Sequence, residues 1–154
     1  MSFRIVFLAD HPEVMGALAA ALEREWPDWY GQDRDALADL ENRSRTSGLP
    51  LGLVALEADS AIGTLAIADR ATPSHQHLTP WIVGFWVEAA RRKRGIGAKL
   101  LKAACAQAWT VGYERLYVST ATASRLFLRE GWHKIDIGTT HGGARVEIFS
   151  MKLT

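Results

Sequence analysis

An apolar strand, a basic glycine turn and a long amphipathic helix follow one another between Trp81 and Val111, and this order constrains the fold more than any other feature of the chain. Trp81 to Val87 reads as a strand and Arg92-Lys93-Arg94-Gly95-Ile96-Gly97 as the turn. The helix that follows carries Ile96, Leu100, Leu101, Ala104, Cys105 and Ala108 on one stripe, with Gly112 as its C-terminal cap. A helix N-terminus leaves its first backbone N–H groups unpaired and carries partial positive charge. Gly95 and Gly97 let the backbone curl toward one point and remove the Cβ atoms that would hold a phosphate away. Arg91, Arg92, Lys93 and Arg94 add cations around that point, so the stretch predicts a pyrophosphate cradle. Taken alone, the hexapeptide also fits a tight strand-to-helix connection beside a solvated basic patch.

The remaining elements arrange themselves around this unit. Strands are predicted at Phe3–Leu8, Leu51–Leu56, Ile62–Ala68, Arg115–Ser119, Ile135–Thr139 and Val146–Lys152. Helices are predicted from Val14 to the break at Pro27, over Arg34–Arg45 with Leu37, Leu40 and Ala36 on the buried side, and over Ala123–Arg129. Asp69 to Pro80 reads as a loop. The order β-α-α-β-β-β-α-β-α-β-β gives an α/β protein with a mixed sheet and helices on its faces. With 154 residues and no linker, one domain over residues 1–154 is expected.

Bulk charge argues against a nucleic-acid binder: 18 basic residues stand against 17 acidic ones, a net charge of +1. The basic run at 91–94 therefore points to a local anion. No apolar run approaches the roughly 18 residues of a membrane helix, and the N-terminal stretch reads as a strand rather than a signal peptide. The single cysteine, Cys105, allows no internal disulfide and reads as a buried structural thiol, so a reducing, cytoplasmic setting is expected.

Two other phosphate binders fail at specific positions. A P-loop needs lysine then serine or threonine after its second glycine, but Gly97 is followed by Ala98-Lys99-Leu100. A dinucleotide fingerprint needs a third glycine where Leu100 stands. The stretch from Phe85 to Leu101 instead resembles the central motif of the GNAT superfamily of N-acetyltransferases, Gln/Arg-x-x-Gly-x-Gly/Ala at the start of a helix. Ala123-Ser124-Arg125-Leu126-Phe127-Leu128-Arg129-Glu130-Gly131-Trp132 is similar to that family's second motif, a short helix followed by Gly-Phe or Gly-Trp.

The resemblance implies a central, mostly antiparallel sheet that splays between its fourth and fifth strands and holds acetyl-coenzyme A there. It assigns the pantetheine arm to the main chain of Phe85, Trp86 and Val87, pairing as a surrogate strand through Phe85 and Val87. The pyrophosphate falls to the backbone from Arg92, Lys93 and Arg94 through Gly95, Ile96 and Gly97 to Ala98, and Thr120 stands where many relatives have an asparagine that touches the arm. Phe127 stands where many relatives have a tyrosine that protonates the departing thiolate. Three readings of that departure remain: the thiolate leaves without a side-chain acid, Tyr117 or Ser124 replaces the tyrosine, or the chain binds the coenzyme with little catalysis.

An amine must be neutral to attack a thioester, and the candidate proton acceptors are Asp69, His75 and His77. Plain turn and loop roles fit those three residues equally. Trp26, Trp29 and Tyr30, with Asp28, Asp33 and Asp35 nearby, suit a cationic amine in an acceptor pocket, or simply cover the sheet. The resemblance thus implies direct acetyl transfer in a ternary complex to a small-molecule amine, with a peptide or protein amine second, no metal, no nucleic acid and no membrane. A non-catalytic acyl-coenzyme A sensor is the alternative. Relatives often dimerise through C-terminal strands, so a homodimer is admitted by the same analogy.

Overall fold

The computed structural model describes residues 2–31 and 34–154. Seven strands form one sheet in the order β1-β2-β3-β4-β5-β7-β6, with β1 at Arg4–Phe7, β2 at Leu51–Glu57, β3 at Ser60–Ala68, β4 at Trp81–Val87, β5 at Arg115–Thr120, β6 at His133–Thr139 and β7 at Arg145–Lys152. The helices are α1 (Met15–Glu25), α2 (Ala36–Asn42), α3 (Ile96–Val111) and α4 (Ser124–Arg129). β1 pairs antiparallel with β2, and β7 antiparallel with both β5 and β6. β4 and β5 are parallel, in the register that sets Trp81 opposite Tyr117. This is the mixed α/β architecture expected from the element order.

The chain divides into two compact units, Met1–Ala66 with Gly84–Leu100, and Ile67–Val83 with Leu101–Thr154. In the first unit, α1 and α2 bury Leu18, Leu22, Ala36 and Leu40 together with Val54 and Leu56 of β2 and Trp86 of β4. The expected helix over Arg34–Arg45 is shorter, because the Asp35 carboxylate accepts the Leu37 N–H at 3.0 Å and starts the helix at Ala36. Leu37 faces solvent, while Ala36 and Leu40, four residues apart, carry the buried face.

The glycine at position 63 sets how closely α3 can approach. A Cβ there would stand 3.1 Å from Leu100 Cδ1 and 3.2 Å from both Ile96 Cγ2 and the Trp86 carbonyl oxygen. β3 and the first turn of α3 are thereby in direct backbone-to-side-chain contact. The main chain continues the same link, since Glu88 N–H donates to the Ile62 carbonyl at 2.9 Å as β4 ends.

In the second unit, Phe127, Trp132 and Phe149 form an aromatic core. Phe127 meets Trp132 edge-on at 5.5 Å and stacks on Phe149 at 5.7 Å. Gly112 closes α3 with φ of 109°, and the Tyr113 N–H returns to the Ala108 carbonyl at 3.0 Å, the C-terminal cap read from the sequence. The residue 69–80 segment is less open than expected. It holds a short 3-10 turn at Pro73–His75 that buries His75 and Thr72.

Candidate active site

The turn between β4 and α3 is built from one 3-10 turn and two left-handed residues. Ala89–Arg91 form the turn, then Lys93 takes φ of 66° and Gly95 φ of 80°. Beyond its chain neighbours, no atom lies within 4 Å of the position a Cβ would take on Gly95, so the space beside this residue is open. Left-handed backbone at a lysine is unfavourable by about 1–2 kcal/mol, strain that is common where backbone N–H groups must converge.

The basic run is held in place by carboxylates. Arg91 donates through Nε to Glu57 Oε1 at 3.0 Å and through Nη1 to Glu88 Oε2 at 2.6 Å. Arg94 Nη2 reaches the other oxygen of Glu57 at 2.7 Å. Arg92 Nη2 meets Glu25 Oε1 at 2.7 Å, and its Nε donates to the Val87 carbonyl at 3.0 Å. The Arg94 hydrogen bond, with Arg91 behind it, holds the Glu57 carboxyl below the usual carboxylate range. Three of the four cations are therefore oriented by acidic partners, which fixes them around the turn at little conformational cost to a ligand. Lys93 is exposed.

Along β4, Trp86 is buried in the core, while Phe85 and Val87 are half-buried. Gly84, just before them, has φ of 59°. Arg43, the residue that ends α2, lies against it: a Cβ on Gly84 would stand 2.6 Å from Arg43 Nη1. Arg43 is 8% exposed, and its Nη1 has no hydrogen-bond partner among the described residues. An unsatisfied buried donor costs about 1–3 kcal/mol, more when charged. Tyr30 is buried too, and its hydroxyl is hydrogen-bonded to Asp39; burial first, and Asp39 second, push its pKa up to about 12. Burial lowers the pKa of Arg43, with Tyr30 and Asp39 opposing that shift.

Trp26, Trp29 and Tyr30 were expected to border an acceptor pocket or to cover the sheet. The face of Trp29 is covered by the Arg34 guanidinium at 3.6 Å from the ring centroid. Trp26 packs against the core cluster, Tyr30 belongs to it, and Asp35 is spent on the α2 cap. Asp33 lies outside the described residues.

In the second unit the predicted proton acceptors separate. Asp69 Oδ1 accepts the Thr79 hydroxyl and pairs with Arg70, each at 3.0 Å, bracing the two ends of the loop. His75 and His77 stack at 5.6 Å, but only His75 is buried. Its Nε2 lies 2.7 Å from Asp136 Oδ2 and its Nδ1 2.7 Å from Ser74 Oγ. The carboxylate can only accept, so Nε2 carries a proton; in the neutral ring Nδ1 then accepts from the Ser74 hydroxyl. Ser74 Oγ in turn accepts the Thr139 N–H at 3.0 Å. The Asp136 carboxyl is held low chiefly by His75 and then by the Ile137 N–H. A Cβ on Gly138 would fall 2.8 Å from Ser74 Oγ and 3.2 Å from His75 Nδ1, so this glycine makes room for the relay.

Other predicted contacts have local roles as well. Thr120 Oγ1 accepts the Ala123 N–H at 2.9 Å and the Thr122 N–H at 3.3 Å, leaving its hydroxyl proton to donate. Ser124 donates to Glu147, which also binds Lys134 Nζ at 2.5 Å. Phe127 is 1% exposed in the aromatic core. Tyr117 is half-buried, its ring 5.7 Å from that of Trp81. Cys105, expected to be buried, is half-buried and borders a cavity of about 340 Å³ with Leu101, Trp132 and Met151; burial pushes its thiol pKa up to about 11. Among the described residues no group of three or more His, Cys, Asp or Glu could hold a metal ion, and no helix is long and apolar enough to cross a membrane.

No curated protein matches the sequence. Among solved structures, an aminoglycoside 6′-N-acetyltransferase complexed with coenzyme A matches with a TM-score of 0.79 at 14% identity, over 100% of this chain and 98% of that one. The aminoglycoside 6′-N-acetyltransferase from Enterococcus faecium gives 0.77 at 14% over the same shares. An N-acetyltransferase described as putative, from Lactobacillus plantarum, gives 0.72 at 22% over the full length of both chains. At these identities the likeness carries the fold. The model of the acetyltransferase (GNAT) family matches residues 16–132, which include both the glycine turn and the Gly131-Trp132 motif, and the chain belongs to that family.

Proposed function

We propose that this chain is an acetyl-coenzyme A-dependent N-acetyltransferase that acts as one catalytic domain on the primary amine of a small molecule, with a peptide or protein amine as second choice. The observation that carries the reading is the open turn at Gly95, framed by arginines that carboxylates already orient, at the start of α3. Open space at Gly95, a helix N-terminus and the basic run beside it support a pyrophosphate as the ligand. The coenzyme A bound to one of the aminoglycoside acetyltransferases reported above supports the same co-substrate.

In this reading the turn from Arg92 to Ala98 binds the pyrophosphate, and the main chain of Phe85 and Val87 aligns the pantetheine arm. The Val87 carbonyl is engaged by Arg92 Nε, so the arm displaces that contact or pairs through the neighbouring groups. Within the second unit, Ser74, His75 and Asp136 form a chain able to take up a proton, with Asp136 stabilising the imidazolium that forms. With phenylalanine at 127, the half-buried Tyr117 is the acid this reading assigns to the departing thiolate. Transfer is direct, since Cys105 has a thiol held protonated by burial and makes a poor nucleophile. A cytoplasmic location fits the reduced single cysteine.

Thiol release from acetyl-coenzyme A against a mixed panel of amines tests this. Amine-dependent release establishes the transferase. Tight binding without release from any amine favours the sensor reading, which the apolar Phe127 motivates.

A further inference from the structure

We infer that the acceptor bears a carboxylate beside its amine, and that Arg43 binds that carboxylate next to Gly84; this rests on the transferase reading above. Arg43 is more than nine-tenths buried, and its guanidinium reaches the one residue of β4 with left-handed backbone. It arrives there from the end of α2, an element anchored by Leu40 in the core and by the Arg43 carbonyl, which accepts the Gly52 N–H at 2.8 Å. Its stem passes Gly52, where a Cβ would stand 3.1 Å from Arg43 Cγ. Two glycines, on β2 and β4, thus leave a channel that this one arginine occupies.

A purely structural arginine in such a channel would be expected to satisfy its donors, because an unpaired buried donor is expensive. Asp39 supplies a nearby negative charge, yet its carboxylate is shared with the Tyr30 hydroxyl, and Nη1 is left without a partner among the described residues. What remains is an unpaired donor, itself closed off from solvent, beside Gly84 and one residue before Phe85, the first residue assigned to the pantetheine arm. A planar carboxylate matches a guanidinium fork. A phosphate dianion fits less well, because Asp39 would repel its second charge.

The same site argues against polycationic acceptors. The Trp29 face that would receive a cation is filled by Arg34, and the buried charge nearest Gly84 is itself positive. The inference therefore separates this chain from the aminoglycoside acetyltransferases that share its fold.

The experiment compares turnover of amino acids with that of their carboxamides, the corresponding decarboxylated amines, and aminoalkyl phosphonates. Loss of the carboxylate should lower kcat/KM by about 10- to 100-fold, the range for a hydrogen bond to a charged group. Arg43→Met, which keeps most of the stem volume, should raise KM for the carboxylated amine by a similar factor and leave KM for acetyl-coenzyme A unchanged. Arg43→Lys should recover part of the loss. Equal or better turnover of carboxamides, simple amines, polyamines or phosphonates overturns the carboxylate while leaving the transferase intact, and the wild-type panel decides this even where the Arg43 variants fold poorly. Absence of release from every amine overturns both.

Discussion

Arg43 Nη1 stands 2.6 Å from the place where Gly84 would carry a Cβ, so the guanidinium occupies side-chain space that β4 leaves empty. Glycine is required there twice, by that contact and by φ of 59°. Gly84→Ala should therefore lower stability by about 1–3 kcal/mol in denaturant unfolding. In an Arg43→Ala background the same substitution should cost less, since only the backbone strain remains; equal costs would show that the two residues do not interfere.

Tyr30 makes a prediction on the alkaline side. Its folded pKa of about 12 lies above the ordinary value of 10.0, so the folded state keeps the proton longer. That contribution is complete below pH about 10 and is lost as pH rises toward 12. Tyrosinate absorbance should show one of the three tyrosines titrating late, and Tyr30→Phe should flatten the fall in melting temperature over that window.

Asp136 makes the opposite prediction in acid. Its folded pKa is depressed by His75, so its contribution is present above the ordinary aspartate value of about 4 and is lost as pH falls through the folded value. Asp136→Asn should lose less stability on acidification than wild type in pH-dependent thermal melts.

The His75 relay can be tested at neutral pH. His75→Gln should lower kcat by about 100-fold with little change in KM for acetyl-coenzyme A, and Ser74→Ala should show a smaller loss of the same kind. A change confined to KM, with kcat intact, would reduce both residues to loop anchors.

The parts of this molecule that were legible in the sequence are those set by local punctuation. β4 and α3 fall almost where Pro80, Gly95 and Gly112 place them, because turn chemistry and helical spacing act over a few residues. The buried His75 was not legible: its partner Asp136 lies 61 residues away on β6, and nothing in either segment signals the other. Glu57 was missed for the same reason, as it meets Arg91 only because β2 runs beside the turn. Nothing in the expected helix over Arg34–Arg45 sets Arg43 apart, and only its contacts with Gly52 of β2 and Gly84 of β4 show it turned inward. Leu37 is exposed although it lies three residues before the buried Leu40, because the face packed on the core is the one that Ala36 and Leu40 share. Tertiary proximity, rather than composition, makes each of these residues functional candidates.

The central claim is that the Gly95 turn holds the pyrophosphate of acetyl-coenzyme A, and calorimetric titration of the wild type, Gly95→Asn and Gly95→Asp tests it most directly. Nothing crowds this position and asparagine and aspartate tolerate left-handed backbone, so both variants should fold. Wild type should bind, and the aspartate variant should bind at least about 10-fold more weakly than its neutral isostere, because its charge would face the phosphates. Equal affinities for the two variants, or no binding by the wild type, would contradict the account.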